Sequence, residues 1–334
     1  MKKTFLYFCL LFIVQTAFAA DSLYVREQQI PILIDRIDNV LYEMRIPAQK
    51  GDVLNEITIQ IGDNVNLSDI QAIRLFYSGV EAPSRKGEHF SPVTYISSHI
   101  PGNTRKALES YSVRQDEVTA PLSRTVKLTS KQPMLKGINY FWVSIQMKPE
   151  TSLLAKVATT IPNAQINNKP IDITWKGKVN ERHVGIGVRQ AGDDGSAAFR
   201  IPGLVTTNNG TLLGVYDIRY NSSVDLQEKI DIGVSRSTDK GQTWEPMRVA
   251  MTFKQTDGLP HGQNGVGDPS ILVDEKTNTI WVVAAWTHGM GNERAWWNSM
   301  PGMTPDETAQ LMLVKSEDDG KTWSEPINIT SQVK

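Results

Sequence analysis

Two arginines and one aspartate in the second half of the chain have side chains that could bind an anion and move a proton. Arg200 lies in a predicted strand, Arg219 ends the next strand, and Asp225 follows in the polar loop after it. A guanidinium binds a carboxylate through two parallel hydrogen bonds and keeps its charge at neutral pH. An aspartate close to it could act as general acid and base.

Two further residues are candidates for contacts with a bound molecule. Asp268 precedes a proline at the start of a strand, and Trp286 ends the following strand. Each also has an ordinary structural interpretation, because Asp-Pro often starts a turn and an aromatic residue at a strand end often belongs to the core. Asp217 and Asp231, in neighbouring predicted strands, remain alternatives to Asp225 as the acid.

The sequence gives no support for metal, cofactor or nucleic-acid chemistry. Cys9 is the only cysteine, and the histidines His183, His261 and His288 lack the close spacing of a metal-ligand set, so we interpret them as solvent or loop histidines. The 35 Lys and Arg against 36 Asp and Glu leave a formal net charge of −1, with no basic run that would follow a phosphate backbone. We expect no metal, no cofactor and no nucleic-acid partner.

The first residues have the pattern of an export signal. Lys2 and Lys3 precede an apolar run from Phe5 to Val14, which ends in the small-residue stretch Ala17-Phe18-Ala19-Ala20. The run is shorter than the ~20 residues that a membrane-spanning helix needs, and no second long apolar run follows it. We expect residues 1–19 to be a secretory signal peptide, the mature protein to be periplasmic or extracellular, and no segment to span the membrane.

Short runs of β-forming residues separated by polar turns make up the rest of the chain. Up to about Trp175 they favour an antiparallel β-sandwich, and a change of texture at Lys176-Gly177-Lys178 predicts a domain boundary near residue 180. Beyond it the runs form hairpins, and a helix-like stretch is expected only near Thr304 to Gln310. The two predicted sets of four strands are Phe199–Thr206, Leu212–Tyr216, Ile230–Ser235 and Arg248–Phe253, then Ser270–Val273, Ile280–Ala285, Leu311–Val314 and Pro326–Ile329.

An eight-residue repeat gives the clearest signal of architecture. Residues 237–244 and 316–323, 79 positions apart, share Ser, Asp, Gly, Thr and Trp at matching places. Asp239 and Asp318 suit backbone hydrogen bonds within a turn, the glycines allow positive φ, and the tryptophans can pack beneath the turn. One carboxylate per turn is too few for a calcium site, so we interpret both copies as structural. Repeated four-stranded sets predict a β-propeller.

The octapeptides resemble the Asp-box of sialidases, and Phe199-Arg200-Ile201-Pro202 is similar to the Phe-Arg-Ile-Pro motif that opens the catalytic domain of that family. The preceding β-rich region resembles the amino-terminal domain of bacterial sialidases. The resemblance implies an all-β protein with an amino-terminal β-sandwich (residues 20–180) and the first two or so blades of a six-bladed β-propeller (residues 181–334).

The resemblance also implies an exo-α-sialidase, which hydrolyses terminal sialic acids on glycoproteins, glycolipids and oligosaccharides with retention and without metal or cofactor. Arg200 would bind the substrate carboxylate, and Arg219 would contact the ring-hydroxyl side of the sugar. Asp225 would protonate the leaving oxygen and later take a proton from water. Asp268 would bind polar groups of the substrate, and Trp286 would face its N-acetyl group.

In the family the tyrosine nucleophile, its glutamate and two further arginines come from later blades, so we assign no nucleophile here. Because residues 181–334 supply about two of six blades, we expect the sequence to be the front part of a longer protein and to be inactive alone. Two alternatives stay open: a non-catalytic sialoglycan-binding propeller protein, since fold does not fix function, and a trans-sialidase.

Overall fold

The computed structural model describes residues 22–80, 112–176, 181–289 and 295–334. Over these residues the chain is all-β, as the alternating apolar and polar runs predict. The signal-peptide prediction for residues 1–19 lies outside the described residues. Within the described residues, no helix is both long and apolar enough to cross a membrane.

Among the described residues, thirteen strands precede the Phe-Arg-Ile-Pro motif and form three sheets. The sheets have the strand orders β12-β1-β3-β8-β5-β6, β11-β10-β4-β7 and β2-β13-β9. One cluster of buried apolar side chains joins the two larger sheets, and includes Ile59, Leu75 and Phe141. The strands are β1 (Ser22–Glu27), β2 (Ile32–Leu33), β3 (Asn39–Ala48), β4 (Leu54–Ile61), β5 (Ile70–Val80), β6 (Val113–Thr119), β7 (Thr125–Thr129), β8 (Gly137–Met147), β9 (Lys156–Val157), β10 (Thr159–Ile166), β11 (Lys169–Pro170), β12 (Asp172–Lys176) and β13 (Arg182–Gly185).

Strand β13 follows the predicted boundary but pairs with the amino-terminal strands. It runs parallel to β2 and antiparallel to β9. The buried guanidinium of Arg182 donates hydrogen bonds to the carbonyl oxygens of Ile30 (2.7 Å) and Val40 (2.8 Å). Strand pairing with the first sheets therefore continues to Gly185, a few residues past position 180.

In the described part of the chain after Gly185, eight further strands form two antiparallel meanders, β14-β15-β16-β17 and β18-β19-β20-β21, at the places where the sequence predicts two sets of four. Each strand pairs with the next along the chain, so both sets have the simple up-and-down topology of a meander. The strands are β14 (Ala198–Thr206), β15 (Leu212–Arg219), β16 (Ile230–Ser237), β17 (Arg248–Met251), β18 (Val266–Asp274), β19 (Thr279–Trp286), β20 (Gln310–Ser316) and β21 (Ile327–Asn328).

The two meanders share one hydrophobic core. Val215 and Val234 of the first sheet belong to the same buried cluster as Val282 and Val314 of the second. Burying these side chains removes apolar surface from water, which is the main free-energy gain of folding. The two sheets therefore pack against each other as consecutive layers.

The octapeptide turns use their aspartates as hydrogen-bond acceptors. The carboxylate of Asp239 accepts from the Ser237 hydroxyl (2.8 Å) and the Thr243 N–H (2.9 Å). Hydrogen bonds from Thr243 lower the pKa of Asp239 to about 2. Asp318 accepts the corresponding hydrogen bonds in the second copy, and they lower its pKa to about 2 although partial burial opposes the shift.

The helix-like stretch expected at Thr304 to Gln310 is wrong. The segment is a turn, in which Glu307 Oε2 accepts the N–H groups of Met303 (3.2 Å) and Thr304 (3.1 Å). A side chain that binds the backbone in this way competes with helical hydrogen bonding. The helices of the described residues are single turns, α1 (Ala295–Asn298) and α2 (Thr330–Val333).

Candidate functional site

Arg200, Arg219 and Asp225 lie at one end of the first meander. Arg200 is near the start of β14 and stands opposite Asp217 of β15, while Arg219 is the last residue of β15. The loop 220–229 then returns the chain to β16 and carries Asp225. The antiparallel pairing of β14 with β15 therefore brings two arginines, distant in sequence, to the same end of the sheet.

Both arginines bind one oxygen of Asp225. Asp225 Oδ1 accepts hydrogen bonds from Arg200 Nη1 (2.8 Å) and Arg219 Nη1 (2.6 Å). The same two nitrogens each donate to the carbonyl oxygen of Ser223 at 2.9 Å. The loop is thus held by both cations, and the carboxylate of Asp225 lies between them.

The two arginines differ in how far their side chains are buried. The side chain of Arg219 is 1% exposed, whereas those of Arg200 and Asp225 are 43% and 35% exposed. A dissolved anion could therefore reach Arg200, but could not reach most of Arg219. The charges facing solvent are one guanidinium and one carboxylate, with a second guanidinium fixed behind them.

Asp217 holds Arg219 from the protein interior. Its Oδ2 accepts from Arg219 Nη2 (2.7 Å) and Nε (3.1 Å), and its side chain is 1% exposed. Burial raises the pKa of Asp217 to about 6, although Arg219 opposes the shift. Burial lowers the pKa of Arg219, but its hydrogen bonds to Asp225 and Asp217 outweigh that effect and raise it. Because Asp217 is enclosed, it does not face a substrate as an acid would.

Asp231, the other alternative acid, points to the opposite face of the sheet. It lies across from Ile218, one residue from Asp217, and successive side chains of a strand alternate between faces. Its carboxylate lies 2.9 Å from His261 Nε2 and accepts a hydrogen bond from the hydroxyl of Tyr220 (3.0 Å). The structure therefore places Asp231 apart from the two arginines.

Asp268 lies exposed in a bulge of β18, and its backbone joins the cluster. Its N–H donates to Asp217 Oδ1 (2.9 Å), and its φ of +57° is unusual for a residue other than glycine. Ile201 in β14 has the same feature, with φ of +52° before a proline. Both strands have a register shift at this point. The steps Ile201-Pro202 and Asp268-Pro269 thus occupy corresponding places in the two strand sets. This correspondence is visible in the sequence, but the sequence analysis did not use it.

Trp286 lies in the core instead of on an open wall. It is 6% exposed and stacks on Phe253, with ring centroids 4.3 Å apart and planes 10° from parallel. This position favours the structural interpretation of the residue. His288, interpreted above as a solvent or loop histidine, follows β19 outside any strand but is buried at 6% exposure, and its Nδ1 lies 2.8 Å from Asn264 Oδ1.

Two known domains match the chain. Residues 20–170 match the N-terminal domain of BNR-repeat neuraminidase, and residues 201–334 match a BNR repeat-like domain. The two matches together define a BNR-repeat protein of the neuraminidase class, with the amino-terminal domain of that class in front.

Individual relatives agree with this class. The chain is 58% identical over its full length to a sialidase of Bacteroides fragilis strain YCH46, and covers 62% of that protein. A sialidase of Paraclostridium sordellii is 35% identical over 40% of the chain and 30% of its own length. The solved structure of Hadza microbial sialidase Hz136 superposes with a TM-score of 0.81 at 60% identity, covering 93% of this chain and 60% of that one. The chain is thus similar over its full length to a bacterial sialidase, and it spans about three fifths of the length of the two relatives that share 58% and 60% identity with it.

Proposed function

We propose that the protein is an exo-α-sialidase, which hydrolyses the terminal sialic acids of glycoproteins, glycolipids and oligosaccharides with retention of configuration. The observation that carries the proposal is the convergence of Arg200 and Arg219 on one oxygen of Asp225. A sialic acid has a carboxylate on its anomeric carbon, so its hydrolysis needs a cation beside a proton donor. The cluster supplies both.

Arg200 is the residue that takes the substrate carboxylate. Its guanidinium is 43% exposed and is bound to Asp225 and to the Ser223 carbonyl through a single nitrogen, Nη1. The planar guanidinium group can exchange those partners for the two oxygens of an incoming carboxylate. Arg219, held by Asp217 and 1% exposed, keeps its place during the exchange.

Asp225 is the general acid and base. Two neighbouring cations favour its ionised form, which cannot donate a proton. When the substrate carboxylate occupies Arg200, one of those cations is neutralised and Asp225 can carry a proton more readily. It then donates that proton to the leaving oxygen and takes one from water in the second step. Retaining sialidases use a tyrosine nucleophile, and no residue of this chain is assigned to that role.

The same proposal includes the architecture and the location. Residues 20–180 form a β-sandwich and residues 181–334 form consecutive blades of a six-bladed β-propeller, an arrangement supported by the two four-stranded meanders with one shared core. The pattern of residues 1–19 supports cleavage of a signal peptide and export to the periplasm or the medium.

Substitution of Asp225 tests the function. In protein expressed from the complete reading frame, Asp225→Asn should lower kcat on a fluorogenic sialoside by about 100-fold or more, because Asn cannot donate the proton to the leaving oxygen. Binding of free sialic acid, measured by calorimetry, should change little because Arg200 remains.

Four outcomes would contradict parts of the proposal. Equal losses of binding and turnover would remove Asp225 from the acid role. Wild-type protein that binds sialic acid without releasing it from any sialoside would be a sialoglycan-binding protein. Transfer to added lactose in preference to water would identify a trans-sialidase, and release of the β-anomer as first product would contradict retention.

A further inference from the structure

We propose that Asp217 is a positioning residue, whose two carboxylate oxygens fix the buried arginine behind the acid and the backbone of Asp268 in the second sheet. This inference rests on the proposed function, because it assigns to Asp217 the task of aiming Asp225. Asp217 is fully buried on β15, so its carboxylate does not face solvent.

Each oxygen of Asp217 has its own partner. Oδ2 accepts from Nε and Nη2 of Arg219, which leaves Nη1 of that guanidinium directed at Asp225. Oδ1 accepts the N–H of Asp268, 51 residues further along the chain. A guanidinium held on two of its nitrogens cannot rotate, so the position of Asp225 is set by contacts that a substrate never meets.

The backbone contact also fixes Asp268. Its φ of +57° is sterically unfavourable for a residue with a Cβ and persists only where surrounding contacts hold it. The hydrogen bond to Asp217 is such a contact, and it joins the first strand of the second sheet to β15. The backbone of Asp268 is thereby fixed relative to β15.

Charge gives Asp217 a second effect on the same site. The charged groups of the cluster are Arg219 on its own strand, Asp268 on β18, and, beyond Arg219, Asp225 and Arg200. An ionised Asp217 offsets one of the two guanidinium charges. Without it, the excess positive charge would favour loss of the proton that Asp225 must donate.

Two substitutions distinguish the contributions of the two carboxylate oxygens of Asp217. In Asp217→Asn, the amide oxygen still accepts the Asp268 N–H, but the amide NH₂ faces the Arg219 donors. We expect kcat on a fluorogenic sialoside to fall by about 10- to 100-fold near neutral pH, with KM changed by less than about 3-fold. Asp217→Ala loses both contacts, so KM should rise as well.

The pH dependence distinguishes positioning by charge from a general loss of structure. In Asp217→Asn the alkaline limb of the kcat profile should move to lower pH, because the acid loses its proton more readily. Burial raises the pKa of Asp217 to about 6, so below that pH the Asp217 carboxyl of the wild type is also uncharged, as the amide of the variant is. The ratio of wild-type to variant kcat should therefore be smaller at about pH 5 than at about pH 8.

Asp231→Asn is the matched control. It changes another buried carboxylate of the same sheet, bound to Tyr220 and His261 instead of to the arginines. We expect the alkaline limb of the kcat profile of Asp231→Asn to stay at the wild-type pH, whatever the effect of the substitution on stability. A loss for Asp217→Asn that is constant across pH, with an unshifted limb, would overturn the proposal.

NMR supplies a readout that does not depend on turnover. The Nε–H of Arg219 is buried against Asp217, so its resonance should exchange slowly in wild type and be lost in Asp217→Asn. In wild type, the chemical shift of that resonance should follow the titration of Asp217, with a midpoint of about pH 6. This measurement tests the proposal even if the variant does not fold. A fast-exchanging resonance, or one insensitive to pH, would overturn the positioning role. Wild type without sialidase activity but with these signals would contradict only the proposed function.

Discussion

At the scale of single residues, burial gives two identical side chains different tasks. Arg200 and Arg219 both bind Asp225, but the first is 43% exposed and the second 1% exposed. An exposed guanidinium can change partners at little cost, whereas a buried one that loses its partner leaves an uncompensated charge. In the proposed function, Arg200 is therefore the arginine that would exchange Asp225 for a substrate carboxylate, and Arg219 is the one that would keep its position.

Arg200→Lys tests the exchange. A lysine keeps the positive charge but cannot bind a carboxylate with a planar fork, so KM for a sialoside should rise by about 10- to 100-fold. The melting temperature should change little because the side chain is 43% exposed and a lysine keeps its charge. Arg248→Lys changes the first residue of β17, an arginine of similar exposure, 39%, that pairs with Glu245, and the KM of this variant should match wild type. Equal KM values for both variants would remove Arg200 from the carboxylate site.

At the scale of elements, the loop 220–229 is fixed by its neighbours as well as by the arginines. Ala295 N of α1 donates to the carbonyl oxygen of Leu226 (3.0 Å), and the hydroxyl of Thr287 donates to Gln227 Oε1. Gly265 lies against the same loop, where a Cβ would come within 2.2 Å of the Glu228 carbonyl oxygen. The loop that carries Asp225 therefore depends on close backbone contact with the second sheet.

Gly265→Ala should displace that loop without changing any reacting group. The added methyl meets backbone, which cannot move aside as a flexible side chain can, so we expect kcat/KM to fall by about 10- to 100-fold. Gly262→Ala is the control, because the nearest atom to its added methyl is Lys229 N at 4.0 Å. Steady-state kinetics of both variants checks the prediction, and similar kinetics for the two would show that the contact does not position Asp225.

At the scale of the whole molecule, the second octapeptide turn fastens its sheet to the first. Asp319 accepts hydrogen bonds from the hydroxyls of Thr207 and Thr211, each 2.6 Å away, at the hairpin between β14 and β15. It also accepts from Arg236 Nη2 (3.0 Å), a guanidinium that is almost fully buried. The polar link supplements the hydrophobic core that the two sheets share.

Asp319→Ala should lower the free energy of unfolding by about 2–4 kcal/mol, because it leaves Arg236 buried with one carboxylate fewer. Lys240 occupies the corresponding place in the first turn and is exposed, so Lys240→Ala should change stability by less than about 0.5 kcal/mol. Urea denaturation followed by tryptophan fluorescence measures both. A loss for Asp319→Ala no larger than for Lys240→Ala would show that the link contributes little.

The sequence by itself determined the features that depend on local spacing. Alternating runs and hairpin turns predicted the two strand sets, and the repeated octapeptide predicted turns whose aspartates accept hydrogen bonds. The prediction of a helix-like stretch near Thr304 was wrong because the Glu307 side chain closes a turn there by accepting the Thr304 N–H. Hydrophobic periodicity does not reveal such a contact.

Only the tertiary structure decided among residues of the same type. Asp217, Asp225 and Asp231 lie within fifteen positions of one another, and sequence reasoning left all three as candidate acids. Their burial and partners differ because residues distant in sequence surround them: Arg200 beside Asp225, Asp268 against Asp217, and His261 against Asp231. Trp286 was ambiguous for the same reason, since its ring stacks on Phe253, which follows β17 of the other sheet. Spacing along the chain encodes local hydrogen bonding, whereas the environment of a charged group is set by whatever the fold packs against it.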